Sequence, residues 1–172
     1  MGIYQVKCDR CDFEKDMSEV PRRYQLPADT LRIETQWAWC GSCKTVTPSE
    51  QIRSLEEIQH QLDALLGREP DMVEWIQDIA GPSGDFESVF QRQVTAFTNR
   101  RDWRKNRLSV PRCLECGGTE IRPFLDRDAF DPDEEQFEPV EHPGCCGLLH
   151  LSCIGLNKPA VEFFYTPEGT RI

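Results

Sequence analysis

Four short turns dominate this chain. Cys8-x₂-Cys11, Cys40-x₂-Cys43 and Cys113-x₂-Cys116 each place two thiols across a two-residue gap, and His142-Pro143-Gly144-Cys145 repeats that spacing with an imidazole in place of one thiol. A two-residue gap lets a tight turn aim both donors at one ion, with backbone N–H groups free to stabilise the sulfurs. Zinc favours four such ligands in a tetrahedron. The chain holds nine cysteines in 172 residues. An odd count argues against a complete set of disulfides, and in a reducing compartment spaced cysteine pairs favour metal.

Two four-ligand sets are expected. The first is Cys8, Cys11, Cys40 and Cys43, its two pairs separated by 28 residues. The second is Cys113, Cys116, His142 and Cys145, separated by 25 residues. Cys146, His150 and Cys153 compete with His142 and Cys145 for the last positions of the second set; outside it, Cys146 and Cys153 read as small buried side chains. The expected cofactor is therefore zinc, two ions per chain. A redox dithiol of the thioredoxin kind needs one pair in a βαβ setting, and neither condition is met here.

The organisation predicted is α+β, with two zinc β-ribbons joined by a helical insert of two to three helices. Residues 1–47 form the N-terminal ribbon, 48–108 the helical insert, and 109–172 the C-terminal ribbon with a terminal β-hairpin. Within the insert, Thr47-Pro48-Ser49-Glu50 fits a capping box, followed by an apolar stripe of Ile52, Leu55, Ile58, Leu62 and Leu65 that stops at Gly67. A second helix spans Pro70 to Ala80, closed by Gly81-Pro82. A third starts after Asp85 and continues to about Arg107. The segment 126–141 is acidic and reads as an exposed loop. In the tail, Val161 to Tyr165 is strand-like and Thr166-Pro167-Glu168-Gly169 is turn chemistry.

The residues CDRC…CGSC and CLECGG…HPGCCG resemble the paired knuckles of the zinc-ribbon class, which includes transcription factors and ribosomal proteins. The resemblance covers about 1–47 and 109–155 and not the helical middle. It implies bound metal and a β-ribbon at each end. Ribbons share no single activity, so it implies no reaction.

Catalytic zinc keeps one position open for water, whereas both sets here supply four protein ligands. No Walker loop, nucleophile elbow or dinucleotide fingerprint is present, and His60 falls on the polar side of the first helix. The chain is therefore expected not to be an enzyme. Its net charge of −10 repels nucleic acid globally. One basic segment, 92–112, carries Arg100, Arg101, Arg104 and Arg107 beside Trp103 and is the candidate nucleic-acid contact. The N-terminus lacks the apolar stretch of a signal peptide, and no run approaches a membrane span, so the expected location is the cytoplasm. The leading functional expectation is a zinc-binding protein with two structural sites, serving as a binding or adaptor module for an unidentified protein partner. Alternatives are a nucleic-acid-binding regulator and a thiol redox switch.

Overall fold

The computed structural model describes residues 2–27, 29–82, 84–124, 137–156 and 161–172. The acidic segment expected at 126–141 lies mostly outside the described residues. The chain is mixed α+β and divides into two units. One comprises Met1–Gln51 together with Val110–Ile172, and the other Ile52–Ser109.

In the first unit, β1 (Gly2–Cys8) folds back on β2 (Glu14–Ser18), and β9 (Gly147–Leu156) pairs with the other edge of β1, followed by β8 (Val140–His142). All these pairings are antiparallel. This sheet corrects the expected separation into an N-terminal and a C-terminal ribbon. The cause is the apolar face of β1. Tyr4 and Val6 point inward at a period of two, and Val6 stands opposite Leu151 while Cys8 stands opposite Leu149. Leu149 is fully buried, which is worth about 2 kcal/mol. The core they enter also takes Met17, Trp37, Trp39, Val46 and Phe124.

A second sheet runs β6 (Thr45–Glu50), β5 (Thr35–Cys40), β7 (Ile121–Pro123) in that order. Here the capping box expected at Thr47–Glu50 is corrected to a strand. Pro48 is tolerated because β6 pairs with a full strand on one side only, and toward residues 112–114 on the other Pro48 supplies its carbonyl, which accepts from the Leu114 N–H. Its polar side chains are buried with partners: the Thr47 hydroxyl lies 3.2 Å from Cys113 Sγ, and the Ser49 hydroxyl donates to the Gln36 carbonyl. Glu50 is fully buried, accepting from the Tyr24 hydroxyl at 2.7 Å and the Arg112 N–H at 2.9 Å. Backbone bonds Glu50 N to Arg112 O and Leu114 N to Pro48 O tie the two chain segments together.

The third sheet is β10 (Phe163–Tyr165), β3 (Arg22–Gln25), β4 (Thr30–Arg32). The terminal hairpin expected over 160–172 is present in short form: after the turn at Thr166–Gly169 the chain returns through an antiparallel bridge between Tyr165 and Arg171, with Thr166 N–H donating to the Thr170 carbonyl and Ile172 N–H to the Phe164 carbonyl, and β10 also pairs in parallel with β3. Residues 157–160 lie outside the described residues.

The second unit holds three helices: α1 (Leu55–Leu66), α2 (Pro70–Ala80) and α3 (Phe86–Asn106). The capping box of α1 is Ser54 with Glu57, seven residues beyond the one read from the sequence. Asp85 caps α3 through the Ser88 N–H. Leu65, Ile76, Val89 and Phe90 form the core between the helices. No helix among the described residues is long and apolar enough to cross a membrane.

Candidate metal centres

Two clusters of ligand atoms form in the first unit. Cys8, Cys11, His142 and Cys145 make one, and Cys40, Cys43, Cys113 and Cys116 the other; within each, the ligand atoms all lie within 4.8 Å of one another. A tetrahedral ion with metal–sulfur bonds of about 2.3 Å needs sulfur–sulfur edges of about 3.8 Å. The observed edges match: 3.6 Å for Cys40 to Cys116 and 3.9 Å for Cys43 to Cys113. In the mixed cluster Cys8 and Cys145 sulfurs are 3.4 Å apart, and His142 Nδ1 lies 3.4 Å from Cys11 Sγ and 3.2 Å from Cys145 Sγ. The donor sets therefore fit a soft divalent ion, and Nδ1 is the imidazole ligand atom.

All eight ligand residues read from the sequence fall into these clusters, but the grouping is corrected. The first turn joins the last, and the second joins the third. Strand pairing dictates this nesting. Cys8 ends β1 beside the start of β9, which follows Cys145; Cys40 ends β5 beside Ile121 of β7, which follows Cys116. Each centre is thus a strand end and its turn facing the turn that launches the partner strand.

The turns share a local device that the sequence reading missed. The residue after the second ligand is left-handed in three of them: Lys44 at φ 52°, Gly117 at 74° and Cys146 at 56°. Cys146 is therefore a turn residue, exposed and outside both clusters. Cys153 and His150 are also exposed and outside them, which corrects the expectation of buried free cysteines. The next residue, Gly118 or Gly147, packs against the facing turn. A Cβ on Gly147 would meet Cys8 Sγ at 2.7 Å and Asp9 Oδ1 at 2.6 Å, so the first turn could not approach. The repeated Cys-x-Gly of Cys116-Gly117-Gly118 and Cys145-Cys146-Gly147 was the available signal that these two turns play equivalent roles, each receiving one N-terminal turn.

Backbone donors and neighbouring sulfurs set the thiol chemistry. Burial pushes Cys8 up, but the Arg10 N–H at 3.4 Å, with Cys145 and His142, outweighs it and brings the thiol down to about 6. Burial likewise raises Cys116, yet the Gly118 N–H and the surrounding sulfurs leave it lowered. Cys40 moves up through burial and the sulfurs of Cys116 and Cys113, and Cys43 moves up for similar reasons. At Cys145 the Gly147 N–H favours the thiolate, but burial and the Cys8 and Cys11 sulfurs push it up to about 11. In each cluster one thiolate forms readily and opposes the next. A divalent cation supplies the charge that lets all of them ionise.

His142 is held by rings. Phe13 and Trp39 each lie 5.0 Å from it, centroid to centroid. Phe13 also packs on Trp39 at 5.8 Å.

The basic segment is largely engaged with its own chain. Arg101 Nε donates to Asp102 Oδ1 at 3.1 Å, Arg104 Nε to the Arg53 carbonyl at 3.2 Å, and Arg107 Nε to the Ser109 hydroxyl at 2.9 Å. Arg107 is buried and stacks over Trp103 at 5.1 Å. Arg100, also on α3, has interaction partners as well. Arg112 belongs to the other unit, so the run does not form one helical face. His60 is exposed on α1.

No protein-family model matches the chain, and no curated protein or solved structure matches it either. The metal centres consequently rest on their own geometry.

Proposed function

We propose that this chain is a zinc protein with two structural sites, in which two interleaved β-ribbons present a scaffold for binding another macromolecule. The observation that carries this reading is the gathering of four donor atoms within 4.8 Å of one another in both clusters, with Cys₄ edges of 3.6 and 3.9 Å; four protein ligands fill a tetrahedral zinc and leave no position for water. Zinc suits a Cys₄ and a Cys₃His donor set and has no redox chemistry of its own. Closed sites contribute folding energy, on the order of 10 kcal/mol for structural zinc in small peptides, and do not activate a nucleophile. Binding therefore suits this chain better than catalysis, with an adaptor role for a protein partner as the leading form. The engaged arginines of α3 lend no support to the nucleic-acid alternative, and a thiol redox switch would require the closed centres to open.

Elemental analysis of protein purified without added metal tests this reading. About two zinc ions per chain is the expected result. A chain that carries no metal and keeps its circular dichroism in a strong chelator overturns it.

A further inference from the structure

The two centres are joined through one side chain. Trp39 immediately precedes Cys40, a ligand of the Cys₄ centre, and its buried indole meets the ring of His142, a ligand of the other centre, at 5.0 Å. Phe13, two residues beyond Cys11, closes the triangle by touching both rings.

We propose that Trp39 is a positioning residue that couples the two metal centres, so that filling either one raises the affinity of the other. The inference rests on the reading that both clusters bind metal. When an ion fixes the Cys40–Cys43 turn, the backbone of β5 is fixed at its end, and the indole with it. The indole then confines the His142 ring in the orientation that presents Nδ1 to Cys11 and Cys145. Ordering of the ligand is thereby supplied before its own ion arrives. Linkage makes the effect reciprocal: an ion on His142 holds Trp39 and so orders the turn bearing Cys40.

Cobalt serves as the probe, because its ligand-field bands separate a Cys₄ from a Cys₃His site. Site affinities are measured by chelator competition in the unmodified chain, in Cys113→Ser/Cys116→Ser, in Trp39→Leu and in the combined variant. Loss of the Cys₄ centre should weaken cobalt at the Cys₃His centre by about five- to 150-fold. In the Trp39→Leu background the same loss should change it by less than about twofold. Equal Cys₃His affinity with and without the Cys₄ centre, or coupling that survives Trp39→Leu, overturns the proposal. A measurement on the unmodified chain covers the case of a variant that does not fold. Side-chain resonances of His142 and Trp39 are followed while the first equivalent of zinc is added. Both should move with whichever centre fills first; resonances that wait for the adjacent centre's own ion refute the coupling. A chain that binds no metal at all would instead remove the reading beneath it.

Discussion

Replacing Cys8 and Cys11 together by serine separates the nested grouping of ligands from the sequential one. In the nested arrangement this removes half of the Cys₃His centre and leaves Cys40, Cys43, Cys113 and Cys116 complete. In a sequential arrangement the survivor would be Cys113, Cys116, His142 and Cys145. The two outcomes differ in the donors of the remaining ion. The unmodified chain presents seven sulfurs and one nitrogen to two ions, about 3.5 sulfurs per ion on average. The variant should hold one ion with four sulfurs and no imidazole, where sequential grouping predicts three sulfurs and one nitrogen. X-ray absorption at the zinc edge reads the difference directly. The stability change is bounded as well. With free zinc held a thousandfold above Kd, losing one site removes about 4 kcal/mol, a large part of the roughly 5–15 kcal/mol typical of a folded domain. Urea unfolding at buffered zinc should show a drop of that order. Retained imidazole ligation in the variant would refute the grouping, and with it the strand pairing that produces it.

Three further outcomes follow from individual residues. Cys146→Gly should keep two ions per chain and raise stability by up to about 1 kcal/mol, because glycine adopts the left-handed turn without steric cost; loss of an ion, by elemental analysis, would make Cys146 a ligand after all. Burial raises the phenol of Tyr165 above its ordinary value near 10, although Arg22 opposes the shift. Its stabilising contribution is complete below that ordinary value and is lost as pH rises through the raised one. Tyr165→Phe should flatten the decline of stability above pH 10 while costing about 1–3 kcal/mol at neutral pH, since the Leu114 carbonyl loses its donor; denaturant titrations at several pH values measure both. Ser54→Ala should destabilise the helical unit by about 1 kcal/mol without changing metal content, seen as lowered amide protection in α1.

The ligands were legible because ligand chemistry is written locally, in donors spaced by a turn. So were α2 and α3, whose ends carry Pro70, Gly81 and Asp85 where helix termini need them. Grouping was not legible in the same way, since it depends on which strand lies beside β1. Nothing local in Ile3 to Val6 distinguishes a partner 30 residues away from one 145 residues away. Only the paired Cys-x-Gly turns hinted at it. β6 was misread for a different reason. Besides Val46 and Pro48 it buries Thr47, Ser49 and Glu50, polar side chains whose partners lie on other segments, so a stretch that looks like a solvated helix start is the inside of a sheet. Cys146 misled because a left-handed position was filled by a residue that can also bind metal.

The hydrogen bonds from Glu50 to Arg112 and from Leu114 to Pro48 set the point where the chain leaves the metal unit beside the point where it returns. They form a closed neck, and everything from Ile52 to Ser109 hangs from it. Closing a loop costs only about 0.6 kcal/mol more for each doubling of its length. The neck can therefore close loops of very different length, from a short turn to a full helical unit, at little added cost to the strands that bear the two clusters.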